Sequence, residues 1–252
     1  MRKPWFCQPR FFRRRLARAV LWVLLALLAV PGAELLVYRF VDPPLTLLMV
    51  ARRFFPDKGE EIHQLRHDAV DLENIAPSMV LAVLAAEDQN FLTHHGFDLN
   101  AIEKALKHNE THRRKRGAST ISQQTAKNVF LWETRSWLRK GLEVPLTLAV
   151  ELWWGKRRIL EAYLNVAEFR PGVFGIEAAA QYWFHVPAKR LSRRQAELLA
   201  ASLPAPLRFN PAHPSGMLSS HASWIEGQIR HMDQSATLKG LGLRQTGAKN
   251  KE

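Results

Sequence analysis

The stretch that decides the fold is residues 76–96, Ala76-Pro-Ser-Met-Val-Leu-Ala-Val-Leu-Ala-Ala-Glu-Asp-Gln-Asn-Phe-Leu-Thr-His-His-Gly96. Its first half is almost entirely apolar and has a proline near the start, which predicts a buried helix over residues 76–86. Glu87 follows directly where the apolar run ends. A carboxylate beside an apolar wall has a raised pKa, which suits a general acid or base. The alternative interpretation of this segment is an ordinary, solvated helix end.

A second polar segment, Gly117-Ala-Ser-Thr-Ile-Ser-Gln-Gln-Thr-Ala-Lys-Asn128, follows the basic run at residues 113–116. Thr120 and Gln123 have the spacing of a capping box, which predicts that a helix begins here. The free N–H groups of that first turn, with the hydroxyls of Ser119 and Thr120, predict an anion site. Lys127 lies one turn beyond Gln123 on the same helix face. The alternative is a capped helix whose polar face is merely hydrated.

Two further segments combine charged and apolar residues. In Arg135-Ser-Trp-Leu-Arg-Lys-Gly-Leu-Glu143, three cations precede a carboxylate, which has the look of a phosphate clamp with a second acid. A solvated charged face is the alternative, and both interpretations stay open. An exposed pair such as Arg139 and Glu143 would add only about 0.3–0.5 kcal/mol. In Lys156-Arg-Arg-Ile-Leu-Glu-Ala-Tyr-Leu-Asn165, the apolar stripe predicts core packing, with Glu161 pairing with a buried arginine.

The remaining pattern predicts a mainly α globular domain over residues 61–232. Helices are expected over residues 119–131, 146–154, 156–167, 175–184 and 192–203, and no alternating strand or Asn-Gly hairpin signal is evident. Residues 233–252 are polar and basic, and we expect this tail to be disordered. The single cysteine, Cys7, excludes an intrachain disulfide and a cysteine-based metal site.

The N-terminus has the pattern of a membrane anchor. The first 18 positions contain several Arg and Lys residues and no Asp or Glu. An uncharged segment follows over Ala19–Ala33. We predict a basic cytoplasmic tail at 1–15 and a transmembrane helix at 16–38, with the rest of the chain exported. A cleaved signal peptide ending near Val30-Pro-Gly-Ala33 is the alternative.

Residues 39–60 are expected to form a membrane-proximal linker. Pro43 and Pro44 break helix structure, and the apolar stretch over 45–55 predicts either a segment lying along the lipid surface or a short core element. The whole chain of 252 residues carries 36 Lys and Arg against 23 Asp and Glu, a net charge of +13. That excess favours anionic partners, and export of the domain argues against nucleic acid.

In order along the chain, these segments resemble the motifs of the glycosyltransferase family 51, the peptidoglycan transglycosylases. The motifs are Glu-Asp-x-x-Phe-x-x-His-x-Gly at 87–96, Gly-x-Ser-Thr-Ile-x-Gln-Gln-x-x-Lys-Asn at 117–128, Arg-Lys-x-x-Glu at 139–143, Lys-x-x-Ile-Leu-Glu-x-Tyr-Leu-Asn at 156–165 and Gly-Ile-Glu-Ala-Ala-Ala-Gln at 175–181. The resemblance covers about residues 40–230. No Ser-x-x-Lys or Lys-Thr-Gly motif of a transpeptidase occurs, so the expected class is monofunctional.

The resemblance implies a lysozyme-like, two-lobed domain behind a single N-terminal transmembrane helix, in the bacterial inner membrane with the catalytic domain outside the cytoplasm. It implies that Glu87 is the general base in polymerisation of lipid II into β-1,4-linked glycan, with inversion and release of lipid diphosphate, and that Glu143 is a second catalytic acid. The residues that it implies for substrate and diphosphate binding are Ser119, Thr120, Gln123, Gln124, Lys127, Asn128, Arg135, Arg139 and Lys140. The residues that it implies as supporting the motifs are Asp88, Phe91, His94, Gly96, Gly117, Glu161 and Asn165.

The resemblance also sets expectations for cofactors and partners. A divalent cation, Mg²⁺ or Mn²⁺, often stimulates the family, although no His or Cys spacing here predicts a fixed metal cage, and no organic cofactor is expected. The implied partners are lipid II, the nascent glycan chain, membrane lipid and other cell-wall synthesis proteins. Three positions depart from the family pattern: Leu142 where some members have lysine, Pro145 after Glu143, and Arg170-Pro171 in a loop that often contains glycine.

Two other functions compete with polymerisation. A lytic enzyme that cuts finished glycan also uses a single glutamate, but it has no departing diphosphate and no need for the Lys and Arg cluster. A catalytically silent membrane scaffold is disfavoured by the intact acid pair, Glu87 and Glu143.

Overall fold

The computed structural model describes residues 9–55, 62, 64–112, 117–132, 134 and 136–243. The chain divides into a unit that ends at Val41 and a unit that begins at Asp42. The first unit contains helix α1 (Pro9–Val37). Within the described residues, no helix has both the length and the apolarity that a membrane crossing requires. The transmembrane assignment of residues 16–38 therefore stays a prediction.

The second unit is mainly α-helical, as the sequence predicts. Its elements in chain order are α2 (Leu47–Phe54), β1 (Arg66–His67), α3 (Pro77–Glu87), α4 (Leu99–Thr111), α5 (Ile121–Phe130), α6 (Trp137–Trp153), α7 (Gly155–Val166), β2 (Glu168–Arg170), β3 (Val173–Phe174), α8 (Ile176–Phe184), α9 (Arg193–Ser202), α10 (Gly216–His231) and α11 (Gln234–Gly240).

Helix α3 lies at the centre of one half of this unit. Pro77 occupies its first turn, where a missing N–H costs nothing, and every residue from Met79 to Ala85 is buried. Helices α9, α10 and α11 pack around it. A second group is formed by α5 packed against α6 and α7. Full burial of a large apolar side chain contributes roughly 1.5–3 kcal/mol. These two helix groups therefore hold the core, and the first two polar motifs lie where the groups approach each other.

Helix α2 decides between the two interpretations of residues 45–55. It packs against α5, with Met49 and Arg52 buried, and Arg52 Nε donates to Glu168 Oε2 at 3.0 Å. The core-element interpretation therefore holds for this face. The other face leaves Leu47 and Phe54 exposed, so the helix has an apolar side without a partner among the described residues.

The unit also contains a small sheet that was not predicted, with three strands in the order β1-β3-β2. Strand β1 pairs parallel with β3, and β2 pairs antiparallel with β3 through an irregular register. These strands are two or three residues long, too short for an alternating pattern to show. Arg170, one of the positions that depart from the family pattern, makes a cation–π contact in β2. Its guanidinium lies 4.6 Å from the ring centroid of Tyr182.

Gly175 explains the start of the fifth motif. Its φ is +83°, and a β-carbon at this position would lie 2.8 Å from the backbone oxygen of Asn165. A side chain would therefore be strained by its backbone conformation and would also collide with α7.

One other expectation, the disordered tail, needs correction, and the helices differ from the predicted set in two further ways. The disorder expected from residue 233 does not hold for α11, which Asp233 caps through a hydrogen bond to the Ala236 N–H; residues 244–252 lie outside the described part. Helices α4 and α10 were not predicted. Pro145 lies inside α6 and not in its first turn, so the helix runs past a residue that cannot donate a backbone hydrogen bond.

Candidate active site

Glu87 is the last residue of α3, and it is partly buried where that helix meets α5. Gln124 Nε2 donates a hydrogen bond to Glu87 Oε2 at 2.8 Å. The Tyr163 hydroxyl in turn donates to Gln124 Oε1 at 3.3 Å, which fixes the amide so that its NH₂ group faces the carboxylate. Two residues from different helices thus orient one carboxylate oxygen and leave the other for a substrate.

Burial raises the pKa of Glu87, and desolvation is the largest cause. The Gln124 hydrogen bond and the charges of His221 and Lys127 oppose this, while Asp88 adds to it. The negative end of the α3 dipole acts in the same direction as burial. A carboxyl with a raised pKa is a stronger base when ionised, so the site has the electrostatics of a general base.

Asp88 holds the first and second motifs together. Its carboxylate accepts hydrogen bonds from the Ile121 N–H at 3.0 Å and from His94 Nε2 at 2.9 Å. His94 Nδ1 accepts from the Gly96 N–H at 3.1 Å, so the imidazole proton lies on Nε2 and points at Asp88. This network positions α5, and with it Gln124, against the end of α3.

The second motif begins α5 as predicted, with a capping box between Thr120 and Gln123. The anion site expected at this helix start is filled by the protein itself. The Ile121 N–H binds Asp88, and the Thr120 hydroxyl donates to the Gly96 carbonyl at 2.6 Å. Thr120 and Gln123 are buried. Their side chains therefore build the site, while Ser119 remains exposed.

Gly96 shows why the first motif ends in glycine. Its φ is +93°, and a β-carbon would lie 3.0 Å from Thr147 Cγ2 of α6. Phe91, earlier in the same motif, is buried, and the Lys156 ammonium lies 4.6 Å from its ring centroid. These residues support the site and do not reach into it.

A cavity of about 1040 Å³ opens beside Glu87. Its walls come from the end of α3, from α4, from the segment before α5 and from α10. The lining residues that carry polar or aromatic groups are Glu87, Asp88, Gln89, Asn90, Asp98, Lys104, His108, His112, Ser119, Thr120, Gln124, His221 and Trp224, and Gly117 lines it as well.

A second cavity of about 430 Å³ lies on the other side of Gln124 and Pro204, which line both cavities. Lys127 and Asn128 of α5 supply polar groups there, and Arg208 adds another cation. Arg52 and Glu168 also line it, and they form an ion pair with each other. The apolar lining residues include Leu48, Leu131, Trp132, Leu203, Pro206 and Leu207. This cavity thus combines cations and one ion-paired acid with an apolar wall next to the Glu87–Gln124 pair.

The third motif forms an ion-paired cluster at the start of α6. Glu143 is 3% exposed and accepts from Arg139 Nη1 at 3.2 Å and from Lys140 Nζ at 2.5 Å. Among the described residues that line the two cavities, none belongs to this cluster. Arg135 lies outside the described residues. The structure therefore brings Glu143 together with two of its neighbouring cations but not with Glu87.

Two residues of the fourth motif have structural roles. Asn165 is buried and bonds to the backbone of Val70 in both directions. Glu161 pairs with Arg158 at 2.5 Å, and this arginine is half-buried where a buried one was expected. Glu161 also accepts from the Leu72 N–H. Both residues tie α7 to the segment that precedes α3.

Sequence reasoning missed His221, Trp224 and Tyr163 as site residues. Tyr163 was read as core, and its fully buried hydroxyl has a pKa raised well above its ordinary value by burial. The buried stripe of α10 is Leu218, Ala222, Ile225 and Ile229. Trp224 lies off that stripe, and an exposed aromatic outside the apolar face was the signal that could have found it.

Among the residues that the structure describes, no three His, Cys, Asp or Glu side chains are grouped as a metal site requires. Glu143 is already paired with two cations.

Comparisons with known proteins agree with the order of the motifs. A family model described as Transglycosylase matches residues 57–230. A protein of Cronobacter sakazakii named biosynthetic peptidoglycan transglycosylase is 51% identical over 219 residues, which is 86% of this chain and 91% of the relative. A protein of Salmonella enteritidis with the same name is 52% identical over 226 residues, 89% and 92% of the two chains. A third, of Salmonella typhi, is 51% identical with the same coverage.

Proposed function

Because the chain belongs to the transglycosylase family, it is a peptidoglycan glycosyltransferase, and we propose that Glu87 is the general base of its reaction. The substrate in this proposal is lipid II, joined to a growing glycan chain by β-1,4 links. The observation that carries the assignment is the Glu87 carboxylate itself, which is desolvated, held by Gln124 and placed on the wall of a large cavity.

The proposed reaction is a single displacement. Glu87 takes the proton of the acceptor sugar's 4-hydroxyl as that oxygen forms a bond to the anomeric carbon of the donor. The bond between this carbon and the diphosphate oxygen breaks, and the electron pair leaves with the lipid diphosphate. Attack from the opposite face inverts the anomeric centre.

The departing diphosphate gains negative charge, so cations placed near it lower the barrier. Lys127 is the best-placed candidate, because it lies one turn from Gln124 in the smaller cavity, whose apolar walls suit the first part of a lipid chain. Ser119 lines the larger cavity and Asn128 lines the smaller one, and both are proposed to contact substrate. Arg135, Arg139 and Lys140 complete the proposed set, with Glu143 orienting the last two through its ion pairs.

We further propose a lysozyme-like arrangement of two lobes, supported by the separate helix groups around α3 and around α5. The proposed location is the outer side of the bacterial inner membrane, with residues 16–38 as a transmembrane anchor and a cytoplasmic N-terminus. The basic N-terminal residues and the long helix α1 support the anchor.

Exposed apolar side chains support contact between the catalytic unit and membrane lipid. They are Leu47, Phe54 and Phe55 near α2 and Trp137, Leu138, Leu148 and Leu152 on α6, with Trp137 93% exposed. Other cell-wall synthesis proteins remain proposed partners.

The test uses the full chain in detergent with labelled lipid II, and the products are separated before and after muramidase digestion. We expect a muramidase-sensitive ladder of glycan, reduced by about 100-fold or more in Glu87→Gln, since general bases contribute roughly that much. The variant should keep its helical circular dichroism. A Glu87→Gln protein with normal turnover would remove Glu87 from the role of base.

The same experiment separates the rival functions. Release of fragments from finished glycan, without polymerisation of lipid II, would identify a lytic enzyme. A scaffold would be identified by two results together: the chain shows neither activity in vitro, and the Glu87→Gln variant remains fully functional in cells. In Lys127→Met, polymerisation should fall because the leaving diphosphate loses a cation, whereas a lytic reaction releases no diphosphate and would be unaffected.

A further inference from the structure

Helix α10 brings two side chains to the larger cavity that belong to none of the sequence motifs. His221 and Trp224 both line it, one turn apart on the same helix. Their ring centroids are 5.7 Å apart with an angle of 31° between the planes. Trp224 is 46% exposed although it lies on a concave wall. An aromatic pair left open inside a cavity is a feature of ligand sites more than of protein cores.

Two hydrogen bonds hold α10, which carries this pair, against the end of α3 and against the end of α9. Gln89, two residues after Glu87, donates to Gln228 Oε1 of α10 at 3.1 Å. His221 Nδ1 lies 3.2 Å from the carbonyl oxygen of Ala201, at the end of α9. A carbonyl only accepts, so Nδ1 carries the proton and Nε2 is an acceptor when the ring is neutral. The structure gives Nε2 no protein partner among the described residues.

His221 and Glu87 also line the same cavity. A ligand group that touches the His221–Trp224 pair therefore lies beside the proposed base. Polar groups are available near the same end of α3, where Asn90 donates to Asp98 Oδ2 at 2.7 Å.

We propose that His221 and Trp224 form a saccharide subsite, in which the Trp224 indole stacks on one face of a pyranose ring and His221 Nε2 accepts a hydrogen bond from a ring hydroxyl. A pyranose has C–H groups on its faces and hydroxyls on its rim, and this matches a flat indole next to a hydrogen-bond acceptor. The ligand class is the N-acetylated glycan of the substrate. This inference rests on the proposed function, because that function supplies the glycan.

The test measures binding without turnover. The probe is a lipid-free oligosaccharide of alternating N-acetylglucosamine and N-acetylmuramic acid, which has no diphosphate to release. It is titrated into the full chain in detergent by isothermal calorimetry. Trp224→Ala should raise the dissociation constant by about 10-fold, because the free energy of one good aromatic contact corresponds to roughly that factor in affinity. Trp224→Phe should weaken it less, because a smaller aromatic face remains, and His221→Leu should weaken it through the lost acceptor.

Trp153→Ala is the matched control, since this tryptophan at the end of α6 is 43% exposed, close to the 46% of Trp224, and lines neither cavity. Binding that is unchanged in Trp224→Ala, or that falls equally in Trp153→Ala, overturns the subsite. If Trp224→Ala fails to fold, Trp224→Phe and His221→Leu decide the same question. Failure to bind the probe in the unmodified chain also overturns it. If the probe binds at Trp224 but lipid II is not polymerised, the subsite stands and the proposed function falls.

Discussion

Replacing Asp88 by alanine tests whether this one carboxylate holds the two halves of the site together. Asp88 is 6% exposed and accepts from the Ile121 N–H and from His94 Nε2. Asp88 is not the cap of α5, but it accepts a first-turn N–H as an N-cap side chain does, and losing such an acceptor costs about 1 kcal/mol. A buried donor left unpaired, here the His94 N–H, costs about 1–3 kcal/mol. The expected loss of stability is therefore about 2–4 kcal/mol.

The measurement is thermal unfolding of the full chain in detergent, followed by tryptophan fluorescence. A domain of 150–250 residues loses about 2–4 °C per kcal/mol, so Asp88→Ala should lower Tm by roughly 5–15 °C. The Tm of Asp88→Asn should lie between the Tm of Asp88→Ala and that of the unmodified chain. Its amide oxygen still accepts one hydrogen bond, but its NH₂ group faces a second donor.

Glu103→Ala is the control for removing a carboxylate. Glu103 pairs with Lys107 on the surface of α4, and both side chains are more than half exposed. Such a pair contributes about 0.3–0.5 kcal/mol. If Asp88→Ala lowers Tm no more than Glu103→Ala does, the network described around Asp88 does not stabilise the site.

Two further predictions concern titratable groups. Because the Gln124 hydrogen bond lowers the pKa of Glu87, Gln124→Leu should move the acid limb of kcat/KM to higher pH, and an unmoved limb would show that another group titrates there. Burial raises the pKa of Glu197, and its Oε1 has no hydrogen-bond partner in the part of the chain that the structure describes. The Arg194 guanidinium lies 3.5 Å from Glu197 Oε2. A carboxyl whose pKa is higher in the folded than in the unfolded state stabilises the fold when it is protonated. The stabilisation by Glu197 is therefore fully present below the ordinary pKa of glutamate, and it is lost as the pH rises through the raised, folded-state pKa. Glu197→Gln should remove that part of the dependence of Tm on pH, and identical slopes in both proteins would contradict the assignment.

Local signals in the sequence predicted local structure well. The capping box of Thr120 and Gln123 joins residues three positions apart, and the apolar run before Glu87 needs no tertiary information. The mainly helical class followed from such signals. The general-base candidate also followed, because the edge of an apolar helix is visible in the chain itself.

The errors arose where the partner is distant in sequence. The Ile121 N–H was expected to bind a ligand, but it binds Asp88, 33 residues earlier. Periodicity indicates which groups are free within a helix and not which other segment reaches them. The same reason hid Trp224, because its role depends on the cavity that α3, α4 and α10 enclose together.

The Asp88–Ile121 hydrogen bond gives the site a spectroscopic reporter. Amides in the first turn of a helix have no acceptor within that helix and normally exchange quickly with solvent. The Ile121 amide has a buried acceptor on another motif, so its exchange requires α3 and α5 to separate locally. Its protection factor therefore measures how often the catalytic centre opens, independently of global unfolding. A ligand that spans both cavities should slow this one amide more than those in the middle of α5.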